Sequence, residues 1–353
     1  MEKIVGNTVY LGGSFTAMLP AGSTGTGAVT RNGAAAIDLT TGNLVQSWNP
    51  NVTGGAVYAI DVDPSTSNIY LGGAFSTVGG ATHRRVVEVN NSTGTVVTGF
   101  KPPTPNAAVR GLYVSGSQIY IGGSFTAMGG ASHPYVVRAN AGSGALDTTW
   151  APQVDNEVRA FATDVDSSNH ARVILGGFFR TLNGQPFVGI GAVNATTGAT
   201  APWQWHTADL QTFRPFQILR FTQDGNTLFG AATGNGGSMI AWNIGSADGT
   251  LKYVEGTNGN VVDMAVLGGT LYFGGHFSGY CGLVPGNNFC TVQANRNKLI
   301  AVDEGTGALL TWHPSANTTL AVETLAAGGG ALTVGGEFTK VGGVAQQHFA
   351  EFK

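Results

Sequence analysis

The sequence predicts an all-β fold, a seven-bladed β-propeller of four-stranded antiparallel blades. Three features predict it. A Gly-Gly stretch occurs seven times, in one case with the second glycine replaced, and successive copies are 44 to 61 residues apart. An Asx-containing turn follows most copies, and an aromatic residue close to a proline follows the turn. Repeats of this length indicate a propeller, a solenoid or an array, and short strands between turn signals favour propeller blades.

The Gly-Gly stretch reads Val9-Tyr10-Leu11-Gly12-Gly13-Ser14-Phe15 in its first copy. The first glycines of the copies are Gly12, Gly72, Gly122, Gly176, Gly230, Gly274 and Gly335. Alternation along a strand points Leu11, Gly13 and Phe15 to one face and the residues between them to the other. Because neighbouring blades stack face to face, glycine permits a close approach, and we expect Phe15 to fill the remaining gap.

One complete repeat extends from residue 109 to residue 152. Its apolar first strand (109–114) turns at 115–117 into the Gly-Gly strand (118–125). A loop (126–133) leads to the third strand (135–140), and the turn from Asn140 to Gly144 leads to the fourth strand (145–150). Asx side chains stabilise such turns, and glycine supplies the positive φ. We expect Trp150 to pack between blades and Pro152 to end the outer strand.

The chain is predicted to be a single domain, residues 1–353. The blades cover about 1–52, 53–104, 105–154, 155–207, 208–256, 257–318 and 319–353. The last blade stops after its third strand and lacks the outer strand. The fifth blade departs most from the pattern, since Gly230-Ala231-Ala232 replaces Gly-Gly-x-Phe.

Charged residues make up only 10% of the 353 residues, glycine occupies 55 positions, and the formal net charge is −3. Average soluble domains contain about 25% charged residues. A surface rich in Ser, Thr, Asn and Gly is common in secreted and cell-surface β proteins. The sequence has no basic run that would indicate a nucleic-acid or anionic-membrane partner. It also has no apolar run of the ~18 residues that a membrane span needs.

The two cysteines, Cys281 and Cys290, lie in one loop rich in Gly, Pro and Asn. We expect a disulfide that closes this loop and stabilises the fold by about 2–3 kcal/mol in the chain-entropy model. Such a bond implies an oxidising compartment. The alternatives are two free thiols or a two-cysteine zinc half-site. The zinc half-site is disfavoured because no further His or Cys lies nearby at ligand spacing.

The combined motifs resemble a known family. Gly-Gly-x-Phe stretches followed by Asx turns and Trp-x-Pro segments, such as Trp48-Asn49-Pro50 and Trp312-His313-Pro314, resemble the secreted bacterial β-propeller repeats often called delta-60 repeats. Similar repeats occur in fungal cell-surface polarity landmark proteins. The resemblance covers essentially the whole chain. It implies an extracellular location and a binding or display role, and it offers no catalytic residues to carry over.

The candidate ligand-binding residues lie on predicted loops. In a propeller blade, the loop between the second and third strands and the blade-to-blade loop open on one face, the default ligand surface. Polar or aromatic residues that break the repeat pattern there are His83, Arg84, His133, Tyr135, Asp155, Asn156, Glu157, Trp203, His206 and Asp209. Their side chains suit a polar ligand such as a sugar. Exposed loops also carry polar residues without function, and Trp203 is alternatively a blade-packing aromatic.

No cofactor is predicted. Two aspartate pairs, Asp61 with Asp63 and Asp164 with Asp166, look like fragments of calcium loops. A calcium site needs about six to eight oxygen ligands and usually a bidentate carboxylate, so two carboxylates fall short. Asx turns at the first hairpin of a blade are the favoured interpretation. The sequence contains no Gly-x-Ser-x-Gly, His-Glu-x-x-His or phosphate-loop motif.

These observations predict an extracellular, non-enzymatic β-propeller that binds a glycan or a protein through its loop face. One alternative is a carbohydrate-active enzyme with Asp155, Glu157 and Asp209 as acids at the channel mouth, because glycoside hydrolysis needs two converging carboxyl groups. The other alternative is a structural propeller within a larger cell-surface or secreted assembly, with further domains or subunits beyond this chain.

Overall fold

The computed structural model describes residues 1–20, 23, 26–205, 217–234, 236–282 and 290–353. These residues form antiparallel strands joined by turns, with almost no helix, and a 3-10 turn covers Gly245–Ala247. The chain divides into two compact units, Met1–Val158 and Arg159–Lys353. The fold class is therefore all-β, as the sequence predicts.

The strands of the first unit are short and lie between glycine-rich turns. They are β1 (Glu2–Val5), β2 (Thr8–Gly12), β3 (Ala17–Met18), β4 (Val29–Thr30), β5 (Ala34–Asp38), β6 (Val52–Thr53), β7 (Val57–Val62), β8 (Ile69–Gly73), β9 (Thr77–Val78), β10 (Ala81–Thr82), β11 (Val86–Val89), β12 (Val109–Ser115), β13 (Gln118–Gly123), β14 (Ala127–Met128), β15 (Ala131–Ser132) and β16 (Val136–Asn140).

The strands that follow, from the unit boundary onward, include longer ones. They are β17 (Val158–Val165), β18 (Ala171–Gly177), β19 (Thr181–Leu182), β20 (Gln185–Pro186), β21 (Ile190–Asn194), β22 (Gln217–Asp224), β23 (Thr227–Gly234), β24 (Gly236–Asn243), β25 (Thr250–Thr257), β26 (Val261–Leu267), β27 (Thr270–Gly275), β28 (Gly279–Gly282), β29 (Ala294–Asn295), β30 (Leu299–Asp303), β31 (Val322–Gly328), β32 (Ala331–Gly336), β33 (Lys340–Val341), β34 (Val344–Ala345) and β35 (Phe349–Phe352).

Each repeat folds into an antiparallel meander of its main strands. In the first unit the meanders are β1-β2-β5, β7-β8-β11 and β12-β13-β16. In the second unit they are β17-β18-β21, β26-β27-β30 and β31-β32-β35. Repeat five forms the longer order β22-β23-β24-β25, which β28 and β29 extend. The Gly-Gly stretch thus supplies the second strand of a sheet, as its apolar alternation predicts.

The predicted fourth strand is too long for most repeats. After the Asx turn, the chain makes a single antiparallel pair with the third strand, such as Ile37 with Leu44 or Ala139 with Leu146. The segment then turns away from the sheet. In repeat one, the Trp48 N–H closes this turn by donating to the Val45 carbonyl oxygen at 3.2 Å. The proline that follows has no N–H with which to continue a ladder. Repeat five differs and has a complete fourth strand, β25.

The predicted loop between the second and third strands contains a small hairpin. In repeats two and three this hairpin is β9–β10 and β14–β15. The turn residues Gly79 and Gly80 have φ of 59° and 80°, and Gly129 and Gly130 have φ of 58° and 89°. Positive φ at both turn residues matches the twist of a two-residue hairpin. The loop backbone is therefore held by its own hydrogen bonds.

An aromatic pair joins consecutive repeats. In repeat one, Tyr10 of the Gly-Gly stretch packs edge-on against Trp48, with ring centroids 5.0 Å apart. The Tyr10 hydroxyl donates to the Asn91 carbonyl oxygen at 2.8 Å, and the Trp48 indole N–H donates to the Asn90 carbonyl oxygen at 3.0 Å. Both acceptors lie in the Asx turn of repeat two. The tryptophan therefore packs between repeats, which confirms its predicted role.

The double glycine is a packing requirement. A Cβ atom at Gly12 would lie 2.6 Å from Cγ1 of Val57, on the first strand of the next repeat. A Cβ atom at Gly123 would lie 2.1 Å from the Ala108 carbonyl oxygen, on the neighbouring strand of its own repeat. The first glycine therefore admits the neighbouring sheet, and the second admits the backbone beside it.

Candidate functional site

The two kinds of predicted ligand loop lie at the same end of each sheet. In repeat three, Val109 at the start of the first strand lies opposite Gly123 at the end of the second. Gly122 lies opposite Val136 at the start of the third strand. We call this the loop end of a sheet, and the Asx turns lie at the opposite end. Most of the predicted ligand residues lie at the loop end of the first unit.

His83 and His133 occupy equivalent positions in repeats two and three. The His83 N–H donates to the Ser76 carbonyl oxygen at 3.1 Å, and the His133 N–H donates to the Thr126 carbonyl oxygen at 3.0 Å. Both histidines are half-buried, whereas Arg84 is exposed. The backbone of each histidine closes the small hairpin, and its side chain is not fixed by that role.

A left-handed residue precedes the third strand in six of the repeats. These residues are Gly33, Arg85, Tyr135, Gly189, Lys298 and His348, with φ between 64° and 80°. The N–H of each donates to the carbonyl oxygen of the phenylalanine in the Gly-Gly-x-Phe motif. In repeat three, the Tyr135 nitrogen lies 2.7 Å from the Phe125 carbonyl oxygen. The carbonyl oxygen of each accepts from the second motif glycine. The backbone position is therefore fixed, while the side chain differs between repeats.

Two of these left-handed residues have additional constraints. The Arg85 guanidinium donates to the carbonyl oxygen of Pro105, in the linker to repeat three, at 2.6 Å. In the second unit, Lys298 is 6% exposed, and burial lowers the pKa of its amine. Tyr135 has no such constraint and is half-buried.

Glu157 pairs with an arginine that the sequence did not single out. Glu157 is buried, and its Oε1 atom lies 3.9 Å from Nε of Arg110. The Arg110 guanidinium lies over the ring of Tyr58, 4.0 Å from its centroid. Tyr58 and Arg110 lie near the starts of β7 and β12, the first strands of repeats two and three. Glu157 directly precedes β17. A charged residue inside the apolar segment Val109-Arg110-Gly111 was the available signal.

Asp155 and Asn156 are exposed beside Glu157. Asp155 lies in the linker before the first strand of repeat four. Asn106 and Asn317 hold the corresponding position in repeats three and seven. The Asn106 Oδ1 atom accepts the N–H groups of Thr126 and Ala127 at 2.9 and 3.1 Å, and Asn317 makes the equivalent pair of bonds. The Asn156 Oδ1 atom accepts the N–H of Glu157 at 2.8 Å. Asp155 therefore stands where other repeats use an Asx side chain to hold the hairpin.

Trp203 lies in the core rather than on a loop surface. It is 4% exposed and packs against Trp242, with ring centroids 6.2 Å apart. This burial corrects the choice of Trp203 as a ligand-binding residue and agrees with the alternative that it is a packing aromatic, because neighbouring side chains cover the ring. The other two predictions in this stretch, His206 and Asp209, lie outside the described residues.

The aspartate pairs have protein partners. Asp61 accepts the Val114 N–H at 2.7 Å and lies 2.8 Å from the Lys3 amine. Asp63 Oδ1 accepts the Ser65 N–H at 2.7 Å, and Asp166 Oδ1 accepts the Ser168 N–H at 2.9 Å. The bonds of Asp63 and Asp166 are those of Asx turns, whereas Asp61 contacts residues of repeats one and three. Within the described part of the chain, no group of three or more His, Cys, Asp or Glu residues could hold a metal ion.

Asp164 belongs to a buried ionic cluster. The fully buried Arg172 donates two hydrogen bonds to the Asp164 carboxylate, at 2.6 and 2.8 Å. It donates a third to Asp248 at 2.9 Å. Because a buried charge is costly unless it is paired and hydrogen-bonded, this cluster is a structural feature of repeats four and five.

Cys281 and Cys290 form the predicted disulfide, which is confirmed, with their Cα atoms 5.3 Å apart. The preceding residue, Tyr280, donates its hydroxyl to Oε2 of Glu255 at 2.5 Å. Glu255 is 3% exposed. Burial raises the pKa of Glu255 to about 7, although the Tyr280 hydrogen bond opposes the shift. The residue before Cys281 is therefore hydrogen-bonded to a buried carboxyl group whose pKa is raised.

Comparisons with known proteins concern the fold. A family model described as a β-propeller domain of unknown function (DUF5122) matches residues 118–149, which include the Gly-Gly strand and the Asx turn of repeat three. A crystal structure of the computationally designed Ika8 protein is 13% identical, with a TM-score of 0.53, over 94% of this chain and 91% of that one. The Pan2 WD40 domain of Neurospora crassa is 10% identical, with a TM-score of 0.48, over 80% and 75%.

A search of the curated proteins found no match to this chain. The family match and the repeated antiparallel meanders support a β-propeller repeat protein. In the described part of the chain, no helix is long and apolar enough to cross a membrane.

Proposed function

We propose that this chain is an extracellular, non-enzymatic, seven-bladed β-propeller that binds a glycan through the loop end of its sheets. The observation that carries the proposal is the recurrence of a left-handed residue before the third strand of six repeats. Glycine adopts this conformation without a steric penalty, and Gly33 and Gly189 show that the repeat accepts it. Arg85, Tyr135, Lys298 and His348 instead hold large polar or aromatic side chains there.

The cost of these side chains supports a functional role. A left-handed conformation costs a non-glycine residue about 1–2 kcal/mol. Strained backbone of this kind is concentrated at functional sites. In the first unit, Arg85 and Tyr135 lie at the loop end, beside the half-buried His83 and His133. Imidazole, phenol and guanidinium groups donate hydrogen bonds and stack on sugar rings, which makes a glycan the favoured ligand and a protein the alternative.

The acidic residues favour binding over hydrolysis. A glycosidase needs one carboxyl group as an acid and a second as a base or nucleophile across the scissile bond. Glu157 lies beside the Arg110 guanidinium, and Asp155 holds a position that clamps a hairpin in other repeats. An extracellular location agrees with the Cys281–Cys290 disulfide and the low charge content.

The test is a glycan-array screen of the purified chain, with and without calcium. We expect binding to a defined set of glycans that does not depend on calcium. The Tyr135→Gly variant should lose this binding while folding normally, because glycine occupies the same position in repeats one and four. The matched control is Ser67→Gly, which makes the same change at a left-handed residue (φ 61°) in the turn between β7 and β8, at the opposite end of a sheet. A blank array in both conditions, or release of free sugar from the bound glycan, would contradict the proposal.

A further inference from the structure

The first strands of the repeats contain a recurrent β-bulge. The pairing of the first strand with the second shifts by one residue at its start in repeats two, three, five, six and seven. The extra residues at these shifts are Tyr58, Arg110, Leu219, Val262 and Glu323. A bulge re-aims a side chain, and bulges are frequent next to binding sites. We call these positions the bulge row.

Arg110 is held in the bulge row by two neighbours. The ring of Tyr58, the bulge residue of the preceding repeat, lies beneath the guanidinium, with its centroid 4.0 Å from the Arg110 Cζ atom. Glu157 approaches Nε from the following linker at 3.9 Å, which is too far for a hydrogen bond. The Nε atom is buried and has no hydrogen-bond partner among the described residues. The ring and the carboxylate thus hold the guanidinium by cation–π and charge attraction without using its hydrogen-bond donors.

The Arg110 side chain is partly exposed although its Nε atom is buried. The Arg110 side chain is 32% exposed, whereas that of Glu157 is 11% exposed. No hydrogen bond to the terminal nitrogens of Arg110 is found in the described ranges. A fixed, partly exposed guanidinium presents a planar pair of donors that fits a carboxylate in bidentate fashion.

We infer that Arg110 binds the carboxylate of an acidic sugar. This inference rests on the proposed glycan-binding function and names its ligand class, a uronic acid within an oligosaccharide. The two terminal nitrogens of Arg110 donate to the carboxylate. Tyr58 holds the guanidinium by cation–π attraction.

The local charge favours a single carboxylate over a polyanion. Glu157 offsets the positive charge of Arg110, and the bulge residue of repeat two is the neutral Tyr58. A sulfated glycan or a nucleic acid needs several basic groups along its length, and among the described residues of the first unit the bulge row provides one, Arg110. A ligand with one carboxylate and several neutral hydroxyl groups matches a single guanidinium whose charge is partly offset.

Tyr135 extends the site along the same sheet. It precedes the third strand of repeat three, whereas Arg110 begins the first, so the two positions are separated by two strand spacings, roughly 10 Å. Both lie at the loop end. An oligosaccharide, rather than a single sugar, can reach from one to the other.

The test compares an oligogalacturonate with its methyl ester by calorimetric titration. The ester removes the charge of each carboxylate and carries a methyl group on one of its two oxygens. We expect the wild-type chain to bind the acid more tightly, by roughly 10- to 100-fold, the range for a hydrogen bond to a charged group. Arg110→Gln should reduce binding of the acid to the level of the ester. Arg110→Lys should recover only part of it, because lysine keeps the charge and loses the fork.

Controls separate binding from folding. Lys101→Gln removes an equal charge beside the Asx turns, where the Lys101 N–H donates to Ser143, and should leave affinity unchanged. Equal affinity of the wild-type chain for acid and ester would overturn the inference, as would undiminished binding by a folded Arg110→Gln variant. Binding to an acidic peptide but to no glycan would overturn both this inference and the proposed function. Binding to neutral glycans alone would overturn only this inference.

Discussion

The Tyr70 hydroxyl donates a 2.7 Å hydrogen bond to the carbonyl oxygen of Ala141, in the Asx turn of the next repeat. The tyrosine is fully buried and packs edge-on against Phe100, with ring centroids 5.1 Å apart. The same arrangement joins Tyr10 to the Asx turn of repeat two. One side chain of the Gly-Gly stretch therefore fixes the position of the following repeat.

The contribution of this bond can be measured with Tyr70→Phe. The change leaves the ring in place and leaves the buried Ala141 carbonyl oxygen without this donor. We expect a loss of about 1–2 kcal/mol in the free energy of unfolding, measured with urea. The matched control is Tyr272→Phe, because Tyr272 packs on Trp312 in the same way and no hydroxyl bond is found for it in the described residues. Equal losses in both variants would contradict the role of the bond.

Replacing the second glycine of the Gly-Gly motif is expected to destabilise the fold by a steric clash. A methyl group at residue 123 would collide with the Ala108 carbonyl oxygen at 2.1 Å, and the contact involves backbone that cannot turn away. We expect Gly123→Ala to destabilise the fold by about 1–3 kcal/mol or more. Gly142→Ala is the control, since a Cβ atom there would meet only Oδ1 of Asn140 at 3.6 Å. A fall in melting temperature of Gly142→Ala that matched that of Gly123→Ala would contradict the packing account.

The disulfide is expected to contribute to stability. Its cysteines are separated by 9 positions in sequence, and closing a loop of this length contributes about 2–3 kcal/mol in the chain-entropy model. The double variant Cys281→Ser with Cys290→Ser should therefore unfold at a lower temperature. Dithiothreitol should lower the melting temperature of the wild-type chain and leave that of the variant unchanged. A wild-type melting temperature that is insensitive to reductant would contradict the prediction.

Glu255 predicts a pH dependence of stability. Burial raises the pKa of this carboxyl group from 4.5 to about 7 in the folded chain. The unfolded chain therefore loses its proton first as the pH rises, and stability falls between about pH 4.5 and pH 7. The loss relative to Glu255→Gln, which stays neutral, should reach about 3 kcal/mol. Denaturation at several pH values measures it, and a constant difference between wild type and variant would contradict the assignment.

Much of the fold could be predicted from sequence because the repeats are regular. The double glycines, the Asx turns and the aromatic residues recur at fixed spacing, so the packing of Gly12 and Trp48 followed from local chemistry. The disulfide followed from two cysteines in one short loop. The length of the fourth strand did not, because a turn at Val45 and Trp48 competes with pairing and has no glycine to mark it.

The candidate site could be predicted only in part. Loop polarity placed His83, His133 and Glu157 at the loop end, but strict alternation along the first strand concealed Arg110. A bulge changes which way a residue points without changing the composition of the strand. Trp203 was chosen as a ligand residue for another reason. In a sequence, an aromatic residue beside polar residues has the same pattern whether it packs in a core or stacks on a ligand.

The central claim is that the loop end of the first unit binds a glycan. Hydrogen exchange with and without a glycan identified on the array tests it most directly, because bound ligand slows exchange of the amides that it covers. We predict slower exchange in peptides covering residues 76–85 and 126–135. Slower exchange confined to the Asx turns at residues 90–94 and 140–144, at the other end of the sheets, would contradict the account.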